Sequence, residues 1–118
     1  MGGQLTPSSR FTPSKDAVFE TQSNTGLNIN SSGAVTASFD IHGHKYVAWS
    51  GALATGTWAA AVVTLQSSLD GTNWFDTAST LTAAGLKDNV QVSALFVRAK
   101  VTTVESGVGT ADIYFVAK

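Results

Sequence analysis

Cysteine is absent from the sequence, which excludes disulfides and every thiolate metal site. The redox compartment is left open. Charge is scarce: Asp, Glu, Lys and Arg make up 13% of the chain, about half of the ~25% usual in soluble domains. Seven basic and eight acidic residues are scattered with no run of like charge and leave a net charge of −1. No basic stripe is present, so nucleic acid is not expected as a direct partner. No apolar run approaches the roughly 20 residues that a membrane-spanning helix needs, and no membrane partner is expected. The opening stretch MGGQLTPSSR lacks the apolar centre of a secretory leader. The expectation is a protein made in a cytoplasm. Proline occurs only as Pro7 and Pro13.

What is present suffices for one domain. A chain of 118 residues buries about two-thirds of its unfolded surface on folding, enough for a core without staples. In place of Lys and Glu, the sequence offers Ser, Thr, Gly, Asn and Ala for its surface. Such a surface suits a protein packed against partners or displayed outside a cell. The plain alternative is an ordinary neutral β-domain.

Both prolines fall in residues 1–24, a stretch rich in Ser, Thr and Gln with isolated apolar points at Leu5, Phe11, Val18 and Phe19. This composition predicts an extended N-terminal arm whose four apolar residues dock on a partner. Residues 25–118 are predicted to form the folded domain. In the run from Val35 to Ile41, apolar and polar residues alternate, the period-2 pattern of a half-buried strand. Residues 44–50 form a second β-rich run, and residues 58–65 a denser apolar one. Asp70-Gly71 is a strong turn signal, and Trp74-Phe75 restart a strand, which predicts a hairpin. Residues 77–86 are small and polar, a short strand or a loop, and residues 89–93 offer another short strand. Leu95 to Thr102 alternates cleanly, with Arg98 and Lys100 on the outer face, and Ala111 to Ala117 closes the chain. No useful window carries a helical stripe. Seven or eight short strands predict an all-β fold, an antiparallel sandwich or jelly roll. Its expected core includes Val35, Phe39, Val63, Leu65, Val97, Val101, Ile113 and Phe115.

Few residues suggest chemistry. His42 and His44 share a face if they lie on a strand, and two imidazoles can chelate a metal. Asp40 is the only nearby carboxylate, and two exposed histidines beside a bend explain the pair as well. No G-x-S-x-G setting surrounds any serine. The carboxylates are dispersed, with no calcium loop. Asp70 is better explained as a turn residue accepting backbone N–H bonds. Trp49, Trp58 and Trp74 either stack on sugar rings, if exposed, or fill a core. No catalytic residue, metal or cofactor is therefore expected.

The stretch from Thr64 through Ser68, Asp70, Gly71 and Trp74 is followed some twenty residues later by Ala94 to Thr102, with Val97, Arg98 and Val101 in place. This resembles the S-x-DG-x-x-W … (Y/F)VR-x-x-V pattern of small β-sandwich domains in structural proteins of tailed bacteriophages: head decoration (cement) proteins, head fibres and tail-associated modules. The resemblance covers about residues 57–118. It makes Asp70, Gly71 and Trp74 a structural turn. It implies a non-catalytic virion protein that binds the outer capsid surface and braces it, with the major capsid protein and neighbouring copies, as a homotrimer, for partners. In such proteins N-terminal arms commonly stitch capsid subunits together. Similar strand-turn-Trp patterns occur in carbohydrate-binding sandwiches, so a sugar- or receptor-binding module of a tail or fibre is the alternative.

Overall fold

In the C-terminal stretch, Ala111, Ile113, Phe115 and Ala117 are each at most 1% exposed, while the residues between them face outward. That alternation places one side of a strand against a core. The computed structural model describes residues 19–118, and all regular structure among them is β. The strands are β1 (Glu20–Asn28), β2 (Phe39–Asp40), β3 (Tyr46–Gly56), β4 (Val62–Ser68), β5 (Phe75–Leu81), β6 (Gly85–Gln91), β7 (Phe96–Thr103) and β8 (Gly109–Ala117).

They form two four-stranded sheets, ordered β1-β8-β3-β6 and β2-β7-β4-β5, with every pair antiparallel. β1 pairs with β8, β2 with β7, β3 with β6 and β4 with β5. The chain is thus one long hairpin, with β4 and β5 at its tip, folded over twice. Among the described residues this is an eight-stranded jelly roll, its strands placed in two facing sheets.

The core lies between the sheets. Phe115 stacks on Phe39 at 5.7 Å and on Trp49 at 6.3 Å between ring centroids. Trp49 is 1% exposed and donates its indole N–H to Ser79 Oγ on β5 at 2.9 Å. Val63, Leu65, Val97 and Val101 complete the second sheet's inner face.

Several expectations need correction. β1 begins at Glu20, so residues 20–24 are part of the sandwich and not of an arm. Their inward side is polar because β1 is an edge strand. Gln22 and Asn24 lie opposite Phe115 and Ile113, and Gln22 Nε2 donates to Ser38 O at 3.2 Å. Val35 is 41% exposed and outside the core. Residues 35–38 form no strand. Val35 makes a single bridge to Lys100, on the outer side of β7, while Thr36 turns inward and its Oγ1 accepts the Ala99 N–H at 3.0 Å. The run at 58–65 starts its strand only at Val62. Residues 77–86 and 89–93 are divided between β5 and β6.

Candidate docking surfaces

The most local feature is the turn between β4 and β5. Asp70 Oδ1 accepts the N–H groups of Thr72 and Asn73, each at 2.8 Å, and Oδ2 accepts Asn73 Nδ2 at 2.7 Å. The Ser68 hydroxyl donates to Asp70 Oδ1 and accepts the Gly71 N–H. The backbone donors of Asn73 and Thr72 hold the Asp70 carboxyl far below the usual carboxylate range. Gly71 has φ +77°. Trp74 is half-buried, with the Arg98 guanidinium 4.3 Å from its ring centroid. Arg98 Nε donates to Gln66 Oε1, and Gln66 Nε2 to Asp76 Oδ1. This cross-strand chain ties β7, β4 and β5 together on the outer face of the second sheet. Asp70, Gly71 and Trp74 sit as parts of the hairpin's framework.

The turn also builds an apolar end to the sandwich. Leu69 and Phe75 are each 69% exposed and Leu95 is 48% exposed. Their backbones adjoin, because Phe75 is paired with Ser67 and the Leu95 N–H bonds to Ser68 O. Beside them lies a groove of about 440 Å³ bounded by Ser67, Leu69, Phe75, Ser93 and Ala94 among others. A second, of about 390 Å³, shares Ser93 and Ala94 and extends to His44 and Lys45. Together they cross the end at which β1 begins and β8 finishes.

A third surface is the outer face of the β1-β8-β3-β6 sheet. Register aligns Ser23, Tyr114, Ser50 and Leu86 in one row across it, and Thr21, Val116 and Ala48 in the next. Tyr114 is 45% exposed near the centre. The ionised side chains near this face are already engaged. Asp112 accepts the Gly26 N–H at 2.9 Å, and Asp88 meets Lys118 at 3.8 Å. The outer face of the other sheet, by contrast, carries Arg98, Lys100 and Asp76.

The residues singled out for chemistry are spread apart. His42 lies 3.7 Å from carboxylate oxygens of both Glu20 and Asp40, in a turn and not on a strand, and His44 borders the end groove. Among the described residues no group of three or more metal-ligand side chains is placed to hold an ion. Trp58 is half-buried and donates its indole N–H to Ala61 O at 2.9 Å. The three indoles therefore form no exposed coplanar pair. Of the four apolar points assigned to the arm, Leu5, Phe11 and Val18 lie outside the described residues. Phe19, just ahead of β1, is 55% exposed.

Sequence reasoning missed Glu105. It is 5% exposed and its Oε1 accepts the N–H groups of Ala59, Ala60 and Ala61 at 2.8–3.0 Å. Those donors, Ala60 first, hold its carboxyl below the usual range. It anchors the β3–β4 loop at the opposite end of the sandwich. No local signal in VESGVG announces this, because the donors lie more than forty residues away. The chain matches no protein-family model, no curated protein and no solved structure.

Proposed function

We propose that this chain is a non-catalytic structural protein that attaches by its surface to the outside of an assembled virion shell, as a decoration protein, beside neighbouring copies of itself. The observation that carries surface attachment is the outer face of the β1-β8-β3-β6 sheet, where Tyr114 and Leu86 stand exposed among small side chains and the charged groups, Asp112 and the Asp88–Lys118 pair, already have partners. Four strands about 4.8 Å apart and 7–11 residues long give a footprint on the order of 500 Å². That is a large part of the ~800 Å² each partner contributes to a standard interface. Small side chains around Tyr114 let a partner approach closely, and an aromatic at the centre is the usual energetic anchor. The virion setting rests on the strand-turn-Trp resemblance. The jelly roll is compatible with it but is equally at home in lectins, so the fold alone does not choose. Against sugar binding stands the placement of the tryptophans, since each is engaged within the domain.

The test is a pair of arginine substitutions. Tyr114→Arg places a new charge near the centre of this face, and Ala78→Arg places it at an exposed position on β5 of the other sheet. Light scattering gives the oligomeric state, and co-sedimentation with shells lacking this protein gives attachment. Tyr114→Arg is expected to abolish attachment or trimer formation with the circular dichroism spectrum unchanged, and Ala78→Arg to leave both intact. Attachment and assembly unaffected by Tyr114→Arg would remove this face from the proposal.

A further inference from the structure

The groove at the β4–β5 turn combines two exposed apolar walls with one carboxylate. Leu69 and Phe75 flank the turn and are each 69% exposed, and Asp70 and Asn73 line the groove with them. Its volume of about 440 Å³ falls within the roughly 300–1,000 Å³ of sites that take a small group. We infer that this groove receives a lysine or arginine side chain of a partner protein, with its stem against Leu69 and Phe75 and its cationic head at Asp70. The groove is a second surface, and the inference does not depend on the attachment reading of the sheet face.

Charge complementarity selects this occupant. Asp70 Oδ1 is filled by Ser68 Oγ and the N–H groups of Thr72 and Asn73, at 2.8–3.0 Å. Oδ2 accepts only Asn73 Nδ2, at 2.7 Å. Each carboxylate oxygen has about two acceptor positions, so one on Oδ2 stays open. The backbone donors keep this carboxyl ionised, yet none of the ion pairs among the described residues includes it. Arg98 is turned to Trp74 and Gln66, and Lys45 borders the neighbouring groove and not this one. A purely apolar group seated here would face an ionised carboxylate with no counter-charge, and an anion would be repelled. Lysine and arginine match both halves of the groove, because each lays an apolar stem on apolar surface and keeps a charged head at its end. Either head supplies the single N–H donor that the open position on Oδ2 accepts. The exposed Phe75 ring offers the same cation a face, as Trp74 does for Arg98 at 4.3 Å.

The test is an NMR titration of the full-length, nitrogen-15-labelled protein with four blocked tripeptides, acetyl-Ala-X-Ala-amide. X is arginine, lysine, or their neutral counterparts citrulline and norleucine. A basic peptide is expected to shift the amides of Leu69, Asp70, Asn73 and Phe75 and to bind about fivefold more tightly than its neutral counterpart. Asp70→Asn keeps an oxygen for the Thr72 and Asn73 N–H groups and removes the charge, so it should erase that difference. Phe75→Ser alters an exposed side chain and should weaken the basic peptide severalfold while leaving the circular dichroism spectrum unchanged. It keeps the inference testable even where Asp70→Asn loosens the turn. Equal affinity for basic and neutral peptides would overturn the inference, as would binding unchanged by Phe75→Ser. So would the absence of shifts at these four amides, or shifts centred instead on the carboxylates of Asp88 or Asp112.

Discussion

Gly56 closes β3 at the end of the sandwich farthest from the apolar grooves, where it lies opposite Gly109 of β8. Two separate physical terms meet there. Its φ is +74°, a region that costs a non-glycine residue about 1–2 kcal/mol. A Cβ at this position would also lie 1.9 Å from Val108 O, which is backbone and cannot rotate away. The strands would have to part by about 1 Å, disrupting the Thr57 N–H to Val108 O bond and the packing around it. Overpacking of this kind costs typically about 1–3 kcal/mol, and a broken backbone bond adds about 1 kcal/mol. Gly56→Ala should therefore destabilise by roughly 3–6 kcal/mol, a large share of the 5–15 kcal/mol that a domain possesses. Gly71 provides the internal control. Its φ is +77°, but a Cβ there would meet only the Phe96 ring at 3.7 Å or more, an ordinary contact. Gly71→Ala retains the conformational term alone and should cost about 1–2 kcal/mol. Urea unfolding followed by tryptophan fluorescence measures both, with CD melts as a second probe. Equal losses for the two variants, or a milder Gly56→Ala, would refute the argument that the backbone contact dominates.

Three further outcomes follow from the core and from the caged carboxylates. Phe115→Ala removes the ring stacked between Phe39 and Trp49, and should cost about 3–5 kcal/mol in a denaturant titration. Trp49→Phe leaves the Ser79 hydroxyl without its indole donor and should cost about 1–2 kcal/mol, which Trp49→Phe combined with Ser79→Ala should partly recover in a double-mutant cycle. Glu105 has a folded pKa below its ordinary value of 4.5, so its contribution is whole above that value and is lost as pH falls toward the lowered one. Glu105→Gln should accordingly melt below the parent at pH 7, and the gap should narrow as both are titrated below pH 4.5; a gap independent of pH would contradict the carboxylate's role.

The strands that the sequence makes legible are those with one face on the core and the other in water. β7 and β8 alternate because each lies inside its sheet, flanked on both sides. β6 gives no such signal. GLKDNVQ is an edge strand with exposed residues on both faces, including Asn89 at φ +52°, so no periodicity survives to be read. β1 failed for a related reason. Its inward positions, Glu20, Gln22 and Asn24, are polar because an edge strand meets solvent and the rim of the other sheet, and polar alternation resembles a tail. Val35 shows the opposite error. Its alternation with Phe39 and Ile41 is real in sequence, but the segment is held by one bridge and turns over between Val35 and Thr36. A period of two predicts faces only where a ladder keeps the chain flat.

Among the candidate sites, legibility follows sequence distance. The cage around Asp70 draws on Ser68, Thr72 and Asn73, all within three residues, so local turn chemistry announces it. The outer face of the β1-β8-β3-β6 sheet is built differently. One row across it takes Ser23, Tyr114, Ser50 and Leu86 from four strands, two of them separated by ninety-one residues. In a jelly roll the first strand pairs with the last and the second with the next to last, so nearly every surface that crosses a sheet is assembled from distant segments. Composition records that charge is scarce, but where it is scarcest depends on the pairing. Low total charge says nothing of which side chains share a face, and only the strand pairing gathers Ser23, Tyr114, Ser50 and Leu86 on the outer face of the β1-β8-β3-β6 sheet. The same reasoning covers Glu105, whose donors become neighbours only after the β3–β4 loop and the β7–β8 connection meet at one end of the sandwich.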